Sequence, residues 1–281
     1  MRWPGFLLLI AAGSALSTTA TAKSSNPAFL GVQMDDIGGS RGIGPCMVTT
    51  ITKDSGAEAA GLRSGDVFVT LDAKPVANCD GLVSMIQARE PGDHVKLDVR
   101  RTGAQVVSVK ARLLSRDEVL RRRFGNQPAP VTKLVRLDDR SIVDLSVTRR
   151  ATTIIGWYPT TCDGCETVFG KVARWSRHNS KTMPIAVAAA TAGDLRSRRS
   201  IEDNLEALKS YQRGLDVPLL VADAETYEHF AIGDGDRIQF MVIDCRGIVQ
   251  YAAPVVPSSE DADAILDELY AAAEQAARRM K

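Results

Sequence analysis

Two cysteines separated by two residues, Cys162 and Cys165, lie where a buried strand is predicted to meet a helix. The apolar run over residues 153–158 predicts the strand, and apolar residues at helical spacing from Val168 to Trp175 predict the helix. The unpaired N–H groups and the positive dipole end of a helix N-terminus favour a thiolate at Cys162. A thiolate is the attacking form in disulfide exchange, and the spacing lets Cys165 reach back to Cys162. The pair is therefore suited to hold a disulfide or to resolve a mixed one.

The same spacing also fits a structural disulfide, half of a zinc site, or coincidence. A structural zinc site takes about four ligands, usually with a second cysteine pair or a histidine pair. The chain has His94, His178 and His229, none in a paired motif, and no second Cys-x-x-Cys. Zinc is therefore disfavoured, and the strand-to-helix context favours redox chemistry over a structural disulfide. We expect no metal and no other cofactor.

The beginning of the chain predicts a secretory signal peptide. A cationic start is followed by an apolar stretch over residues 6–12 that is too short to span a bilayer, and Ala20-Thr21-Ala22 fits a cleavage site. We expect residues 1–22 to be removed and the mature protein to be periplasmic or otherwise extracytoplasmic, where disulfides persist. No other stretch predicts a transmembrane helix, so no stable membrane insertion is expected after cleavage.

Length and charge limit the organisation and the class of partner. The 281 residues suggest two domains, predicted over 26–114 and 131–281 and joined by a linker over 115–130. The linker contains a charged helix over 116–124 and a breaker cluster over 125–130. The 35 basic residues nearly balance the 34 acidic ones, so net charge implies neither nucleic acid nor a membrane surface as a partner.

The remaining cysteines are Cys46, Cys79 and Cys245. The total of five is odd, so at least one cysteine is unpaired in any monomer. Cys46 and Cys79 could form a bridge within the first predicted domain, which would leave Cys245 free. The sequence alone leaves this connectivity open.

Residues 26–114 combine short strands with two short helices, and two stretches within them are distinctive. These are Phe29-Leu30-Gly31-Val32 and residues 55–66, Ser-Gly-Ala-Glu-Ala-Ala-Gly-Leu-Arg-Ser-Gly-Asp. They resemble the PDZ domains of bacterial envelope proteins, and the resemblance covers nearly the whole segment. It implies a smaller, mainly-β domain that binds a protein or peptide with a free C-terminus, which adds as a strand beside the sheet edge.

The resemblance also assigns roles within that groove. Backbone N–H groups of the loop would hold the peptide carboxylate, and side chains of the facing helix would line a pocket. Carried over to this chain, the carboxylate-binding residues are Leu30, Gly31 and Val32, and the pocket residues are Leu82 and Ile86. Bacterial PDZ domains often accompany serine proteases, but no Gly-x-Ser-x-Gly elbow or comparable nucleophile signature is present.

Residues 131–281 alternate strands with helices, which predicts an α/β sheet with helices on both faces. Apolar strands are predicted around the cysteine pair at 153–158 and then at 183–190, 219–223 and 240–244. This order resembles the thioredoxin fold, and more narrowly the redoxin branch that includes extracytoplasmic thiol–disulfide oxidoreductases. The fold class expected for the chain is therefore α/β, with a smaller mainly-β PDZ-like domain before a thioredoxin-like domain.

By that resemblance Cys162 is the catalytic nucleophile and Cys165 the resolving thiol. Cys162 attacks a disulfide of a protein client, and Cys165 then expels the product from the mixed disulfide. The family packs aromatic residues beside its motif, and Trp157 and Tyr158 match that region.

Three positions depart from the family pattern. Thr161 replaces the usual tryptophan before the first cysteine, and the position of the usual cis-proline falls close to Ile238. Gly156 occupies one usual place of the buried carboxylate that assists proton transfer. The nearby acids Asp163 and Glu166 would raise the thiol pKa values and so oppose the helix dipole.

Two main functions therefore compete. The first is an exported thiol–disulfide oxidoreductase whose PDZ domain recruits clients and raises their local concentration. The alternative is a non-catalytic PDZ adaptor with a static disulfide in a redoxin-like scaffold. The missing proline favours the adaptor, and the two retained cysteines favour the oxidoreductase. Copper binding is a third alternative, since thiolates are soft ligands that suit Cu(I).

Overall fold

A computed structural model of the chain describes residues 27–38, 44–102, 105–147, 151–193, 198–230 and 236–279. The predicted signal peptide, residues 1–22, lies outside these described residues. Among the helices that are described, none combines the length and apolar character needed to cross a membrane.

The first part of the chain forms one mainly antiparallel sheet. Its elements are β1 (Val32–Asp36), β2 (Cys46–Ile51), α1 (Gly56–Ala59), β3 (Val67–Leu71), β4 (Lys74–Pro75), α2 (Cys79–Gln87), β5 (His94–Arg100) and β6 (Val106–Arg112). The strand order is β1-β2-β3-β5-β6, with β4 paired to β3. Strand β1 therefore lies at one edge, with β2 on one side of it and no described strand on the other.

The rest of the chain forms a second sheet with helices. Its elements are α3 (Arg116–Phe124), β7 (Leu134–Arg136), β8 (Ile142–Val143), β9 (Thr152–Trp157), α4 (Cys165–Asn179), β10 (Ile185–Ala192), α5 (Arg198–Leu215), β11 (Leu219–Ala222), α6 (Ala224–Phe230), β12 (Ile238–Ile243), β13 (Val249–Val255) and α7 (Ala262–Arg278). The strand order is β13-β12-β9-β10-β11-β7-β8.

The connectivity of the second sheet confirms the predicted fold class. Strands β9, β10 and β11 are parallel to one another, whereas β12 runs antiparallel to both β9 and β13. Strand β9 thus has the parallel strands β10 and β11 on one side and the last two strands, β12 and β13, on the other. This is the thioredoxin-like arrangement, and it places the junction of β9 and α4 near the middle of the sheet.

Two apolar clusters cover the two faces of this sheet, because side chains alternate along each strand. On β9, Ile154 belongs to the cluster under helices α4, α5 and α7, whereas Ile155 and Trp157 belong to the cluster under α3 and α6. On β12, Phe240 and Met241 divide between the same two clusters. Helices therefore lie on both faces, as the sequence predicts.

The helix predicted within residues 115–130 is confirmed as α3, and it packs on the second sheet. Val119 and Leu120 are fully buried there, and Phe124 is 2% exposed. The backbone that follows also joins this sheet, because Pro128 pairs with Ile248 of the β12–β13 turn. The charged residues of α3 face outward, and its apolar residues close one face of the sheet. The domain and linker boundaries themselves stay a prediction.

Candidate functional site

The two cysteines of the predicted redox motif form a disulfide at the end of β9, with 5.7 Å between their Cα atoms. Cys162 precedes α4 by three residues and is half-buried, whereas Cys165 is the first residue of α4 and is 0% exposed. The sulfur of Cys162 therefore meets solvent more readily than that of Cys165. This asymmetry fits one thiol that meets a partner and one that acts from inside the protein.

The turn between the cysteines depends on Gly164. This glycine caps α4 with a φ of +77°, and its carbonyl accepts from the N–H groups of Thr167 and Val168 at 3.1 and 3.3 Å. A Cβ at Gly164 would lie 3.1 Å from Cβ of Pro257, in the loop between β13 and α7. Pro257 therefore packs against the cysteine turn, a contact that no sequence pattern predicts.

The place that a buried carboxylate often takes in redoxins is filled here by aromatic rings. A Cβ on Gly156 would lie 2.7 Å from both Phe169 and Phe240, so even a methyl group does not fit. Ile238, which stands close to the usual proline position, is fully buried and belongs to the same apolar cluster as Cys165. The surroundings of the buried cysteine are consequently apolar on this side.

Only one of the two aromatic residues before the motif lies near the cysteines. Tyr158 belongs to the cluster that contains Cys165, and its ring meets that of Phe169 at 5.3 Å. Trp157 points to the opposite face, where it stacks on Phe230 at 4.3 Å between ring centroids. Of the two residues that match the family's aromatic region, Trp157 serves core packing on the opposite face, because adjacent residues of a strand face opposite sides.

Tyr158 brings a buried hydroxyl to this face. The residue is 3% exposed, and its hydroxyl has no hydrogen-bond partner among the described residues. Burial, followed by the negative charge of Glu166, raises the pKa of Tyr158 above its ordinary value. The hydroxyl therefore stays protonated, so it can donate a hydrogen bond but does not act as a base near neutral pH.

The predicted carboxylate-binding loop precedes the edge strand β1. Gly31 has a φ of +91°, and a Cβ there would overlap the side chain of Ser55, so this position requires glycine. The Gly31 carbonyl accepts from Thr52 N–H at 2.9 Å, and the Leu30 carbonyl accepts from Ala57 N–H at 2.9 Å. These bonds hold the loop from the side of β2 and α1.

Of the five predicted peptide-binding residues, Leu30 and Gly31 are buried in the loop, and the other three occupy two different environments. Val32 is half-buried and lines a large cleft beside β1, whereas Leu82 and Ile86 lie in the apolar core under the first sheet, at 0% and 6% exposure. On α2, the residues that line the cleft include Cys79 and Val83. Their spacing of four residues places them on one face of the helix, a signal that the sequence offered. Peptide contacts of all five predicted residues stay a prediction.

Helix α2 is tied to the sheet by a second disulfide. Cys46, the first residue of β2, is bonded to Cys79, the first residue of α2, with 4.7 Å between Cα atoms. Asp36, at the end of β1, accepts from the Cys79 N–H at 2.8 Å. These three side chains are the one group of potential metal ligands found among the described residues. Both of its thiols are joined in the disulfide, and Cys245 is the free cysteine.

The β1–α6 cleft, as we name it, lies between the two sheets and has a volume of about 1520 Å³. One wall consists of β1, the end of β2 and the start of α2, and the other consists of residues of α3 and α6. Phe29, whose backbone pairs with Leu114, extends from the first sheet to the cluster that α3 covers. The guanidinium of Arg116 lies 4.4 Å from the Phe29 ring centroid.

Helices α3 and α6 meet inside this cleft through a histidine. A guanidinium nitrogen of Arg123 donates to Nδ1 of His229 at 2.7 Å, so His229 accepts as a neutral ring. Burial, followed by the positive charges of Arg123 and Lys53, lowers the pKa of His229. Lys53 comes from the segment between β2 and α1, so the histidine senses charges from both walls.

Comparison with known families identifies the first sheet. Residues 28–113 match the family model described as a PDZ domain, which confirms that part of the predicted resemblance. No curated protein is detectably similar in sequence to the chain.

Solved structures similar to the chain fall into two groups. The HtrA-type protease AlgW with decapeptide shows 23% identity and a TM-score of 0.29, covering 32% of this chain and 30% of that one. A serine endoprotease from Yersinia pestis shows 18% identity and a TM-score of 0.27, covering 32% and 29%. A thiol:disulfide interchange protein from Bacteroides sp. shows 12% identity and a TM-score of 0.37, covering 55% and 90%.

The chain therefore spans less than a third of the length of the proteases that it matches. Identities and TM-scores at this level do not support an argument about activity.

Proposed function

We propose that the protein is an exported thiol–disulfide oxidoreductase in which Cys162 reacts with protein clients that the PDZ domain recruits. The observation that carries this proposal is the difference in exposure between half-buried Cys162 and fully buried Cys165. An incoming sulfur can approach Cys162, whereas Cys165 is shielded from everything except its partner. A disulfide that served only to brace the chain would not require this difference.

The exchange conserves atoms and electrons. The Cys162 thiolate attacks one sulfur of a client disulfide, that bond breaks, and the second client sulfur leaves as a thiolate that takes a proton from solvent. Cys165 then attacks the mixed disulfide and releases the other client thiolate, which takes the Cys165 proton. The client gains two electrons, and the cysteine pair becomes the disulfide seen in the structure. An external dithiol must reduce the pair before another round.

The apolar surroundings of Cys165 shape this chemistry. With Gly156 packed against two phenylalanine rings, no carboxylate at that position can take the Cys165 proton. Burial in apolar surroundings raises a thiol pKa, which slows attack by Cys165 on the mixed disulfide. We therefore expect mixed disulfides with clients to be longer-lived than in redoxins that have the buried carboxylate.

The first test is the reduction potential of the Cys162–Cys165 pair in glutathione buffers, with free thiols trapped and counted. A reversible pair between roughly −120 and −270 mV supports the proposal, since known thioredoxin-like catalysts lie in that range. A pair that stays oxidised below about −300 mV would be structural. That result would leave the alternative, a PDZ adaptor without catalysis, which the buried Ile238 in place of proline also favours.

Single substitutions then separate the two roles. Cys162→Ser should abolish reduction of a protein disulfide. Cys165→Ser should accumulate a mixed disulfide with the client, visible as a separate band on a non-reducing gel. Cys245→Ser is the matched control, because Cys245 is the unpaired cysteine and should leave exchange unchanged. Equal activity of the Cys162→Ser variant and the wild type would contradict the proposal.

A further inference from the structure

The start of the PDZ groove is flanked by cationic side chains. The Gly31 carbonyl accepts from Thr52 N–H at 2.9 Å, which places the exposed Lys53 one residue from the carboxylate-binding loop. Arg116 lies 4.4 Å from the ring centroid of Phe29, the residue at which that loop begins. Lys53 and Arg116 both line the β1–α6 cleft, so this end of the cleft favours an anionic group.

The other end of the same strand is anionic. Asp35 is exposed on β1, and Asp36 follows it. Asp80 is exposed in the first turn of α2, next to Cys79, whose N–H donates to Asp36 at 2.8 Å. Asp35, Asp36 and Asp80 all line the cleft. The potential along the groove therefore changes sign over the length of β1.

Strand geometry predicts which residues of a bound peptide face each charged end of β1. A peptide whose carboxylate is held at the start of β1 and whose chain continues along that open edge must run antiparallel to β1. Strands rise about 3.4 Å per residue, so the four steps from Val32 to Asp36 correspond to about four peptide residues. The fourth and fifth peptide residues, counted from the C-terminal residue as the first, then lie opposite Asp35 and Asp36.

The second wall of the cleft also carries acidic side chains. Glu225 and Glu228 are exposed on α6 and line the cleft opposite the first sheet. Strands β9 and β11 are both parallel to β10, so their C-terminal ends share one edge of the second sheet. The cysteine motif follows β9 and α6 follows β11, so both begin at the same sheet edge, with α6 on the face opposite the cysteine cluster.

We propose that the β1–α6 cleft selects client C-termini that carry lysine or arginine at about the fourth or fifth position, counted from the C-terminal residue with its free carboxylate, and that α6 contributes to this selection. The inference rests on the proposed function, because it specifies the clients that the PDZ domain recruits. Opposite charges at the two ends fix the direction of the peptide as well as its sequence.

Dye-labelled decapeptides that end in valine test this inference by fluorescence anisotropy with the purified protein. One peptide carries lysines at the fourth and fifth positions from the C-terminus, and matched peptides carry glutamine or glutamate there. A fourth peptide has the lysines and a C-terminal amide. We expect the lysine peptide to bind at least about tenfold more tightly than the glutamine peptide at low salt, with glutamate weaker still, and the difference to shrink as salt screens the charges.

Variants of the first wall locate the selection. Asp35→Asn together with Asp80→Asn should bring the affinities of the lysine and glutamine peptides close together while the preference for carboxylate over amide remains. Lys53→Gln should do the reverse, weakening the preference for carboxylate. Glu90→Gln is the matched control, because Glu90 is an exposed acid of the same domain outside the cleft lining. Equal affinities of the lysine and glutamine peptides for the wild type would overturn the proposal.

Variants of the second wall test the role of α6. Glu225→Gln with Glu228→Gln should reduce the preference for lysine without touching the PDZ domain, and an unchanged preference would remove α6 from the inference. Exchange with a small disulfide, oxidised glutathione, separates this inference from the catalytic proposal. Peptide selection without exchange would refute the catalysis alone, and exchange without peptide selection would refute this inference alone.

Discussion

Gly156 shows how one residue changes the chemistry expected at the cysteine pair. The position is the second-to-last residue of β9, where the rings of Phe169 and Phe240 lie 2.7 Å from the place that a Cβ would take. The glycine is therefore required by packing, and the missing carboxylate follows from the same contact. An acid here would need both rings to move and would leave a charge in an apolar cluster.

Gly156→Ala should lower the free energy of unfolding by about 1–3 kcal/mol, the usual cost of overfilling a packed core. Chemical denaturation followed by fluorescence measures the change. Gly170→Ala is the control, because a Cβ at Gly170 meets only Arg174, at 3.5 Å, and alanine is favoured inside a helix by about 1 kcal/mol. If both variants were equally stable, the packing of β9 against the rings would be looser than the structure has it.

Residue identity and face were predictable to different degrees at this site. The sequence identified Cys162 and Cys165 and their place between strand and helix, because the spacing and the apolar runs are local signals. It could not tell that Tyr158 and not Trp157 lies on the side of Cys165, since an apolar run has no polar residue to mark a face. Pro257 is far from the motif in sequence and comes close to it only in the folded chain, so no local pattern predicts this contact.

At the scale of elements, the position of α2 depends on the Cys46–Cys79 disulfide. The bond joins the first residues of β2 and α2 across 33 residues of sequence. The sequence left this pairing open because connectivity depends on which elements meet in space. The bond holds α2, which lines the β1–α6 cleft, to β2, and the Cys79 N–H donates to Asp36 at the end of β1.

Removing this disulfide should therefore affect both stability and binding. Cys79→Ser should lower the free energy of unfolding by about 3–4 kcal/mol, from the loop-closure entropy of a 33-residue separation. It should also lower the affinity for the lysine peptide, because α2 is then no longer held in place beside β1. The same effect is measured in a Cys162→Ser, Cys165→Ser variant that keeps Cys79. There dithiothreitol can reduce only the Cys46–Cys79 bond, so denaturation with and without it gives the contribution of that bond. An unchanged midpoint there would mean that the bond does not stabilise the domain.

Helix α3 shows which part of an element sequence reasoning can reach. Its bounds were predictable from the charged residues and the breaker cluster that follows them. Its packing on the second sheet was not predictable, because a helix with many arginines indicates a solvent-exposed connector. In the structure, Val119, Leu120 and Phe124 form a short apolar stripe that covers one face of the second sheet. Three buried residues suffice for this packing. The spacing of apolar residues in a strongly charged helix does not reveal which sheet they pack against.

At the scale of the molecule, α3 and α6 connect the β1–α6 cleft to the second sheet. Arg116 of α3 contacts Phe29 of the first sheet, and Arg123 of the same helix donates to His229 of α6. One helix thus touches both walls of the β1–α6 cleft. A peptide in the groove would meet a surface that belongs to the same cluster as Trp157, on the strand that leads to the cysteines.

His229 makes this connection sensitive to pH. Its pKa is lowered in the folded protein by burial and by the charges of Arg123 and Lys53. The folded state therefore binds fewer protons than the unfolded state, and stability is lost as the pH falls through the ordinary histidine pKa of about 6.5. Protonation would also break the bond in which Arg123 donates to Nδ1, since both nitrogens of the charged ring are donors.

The thermal midpoint of the wild type should consequently fall more steeply between about pH 7 and pH 5 than that of a His229→Asn variant. Acid protonates carboxylates in both proteins, so the difference between their curves isolates the histidine. His178→Asn is the matched control, because His178 is exposed on α4, away from the cleft. Affinity for the lysine peptide, measured over the same range, should fall with the wild-type midpoint, because acid separates α3 from α6 in the wall that the peptide contacts. Parallel curves for all three proteins would show that the Arg123–His229 contact does not hold the two helices together.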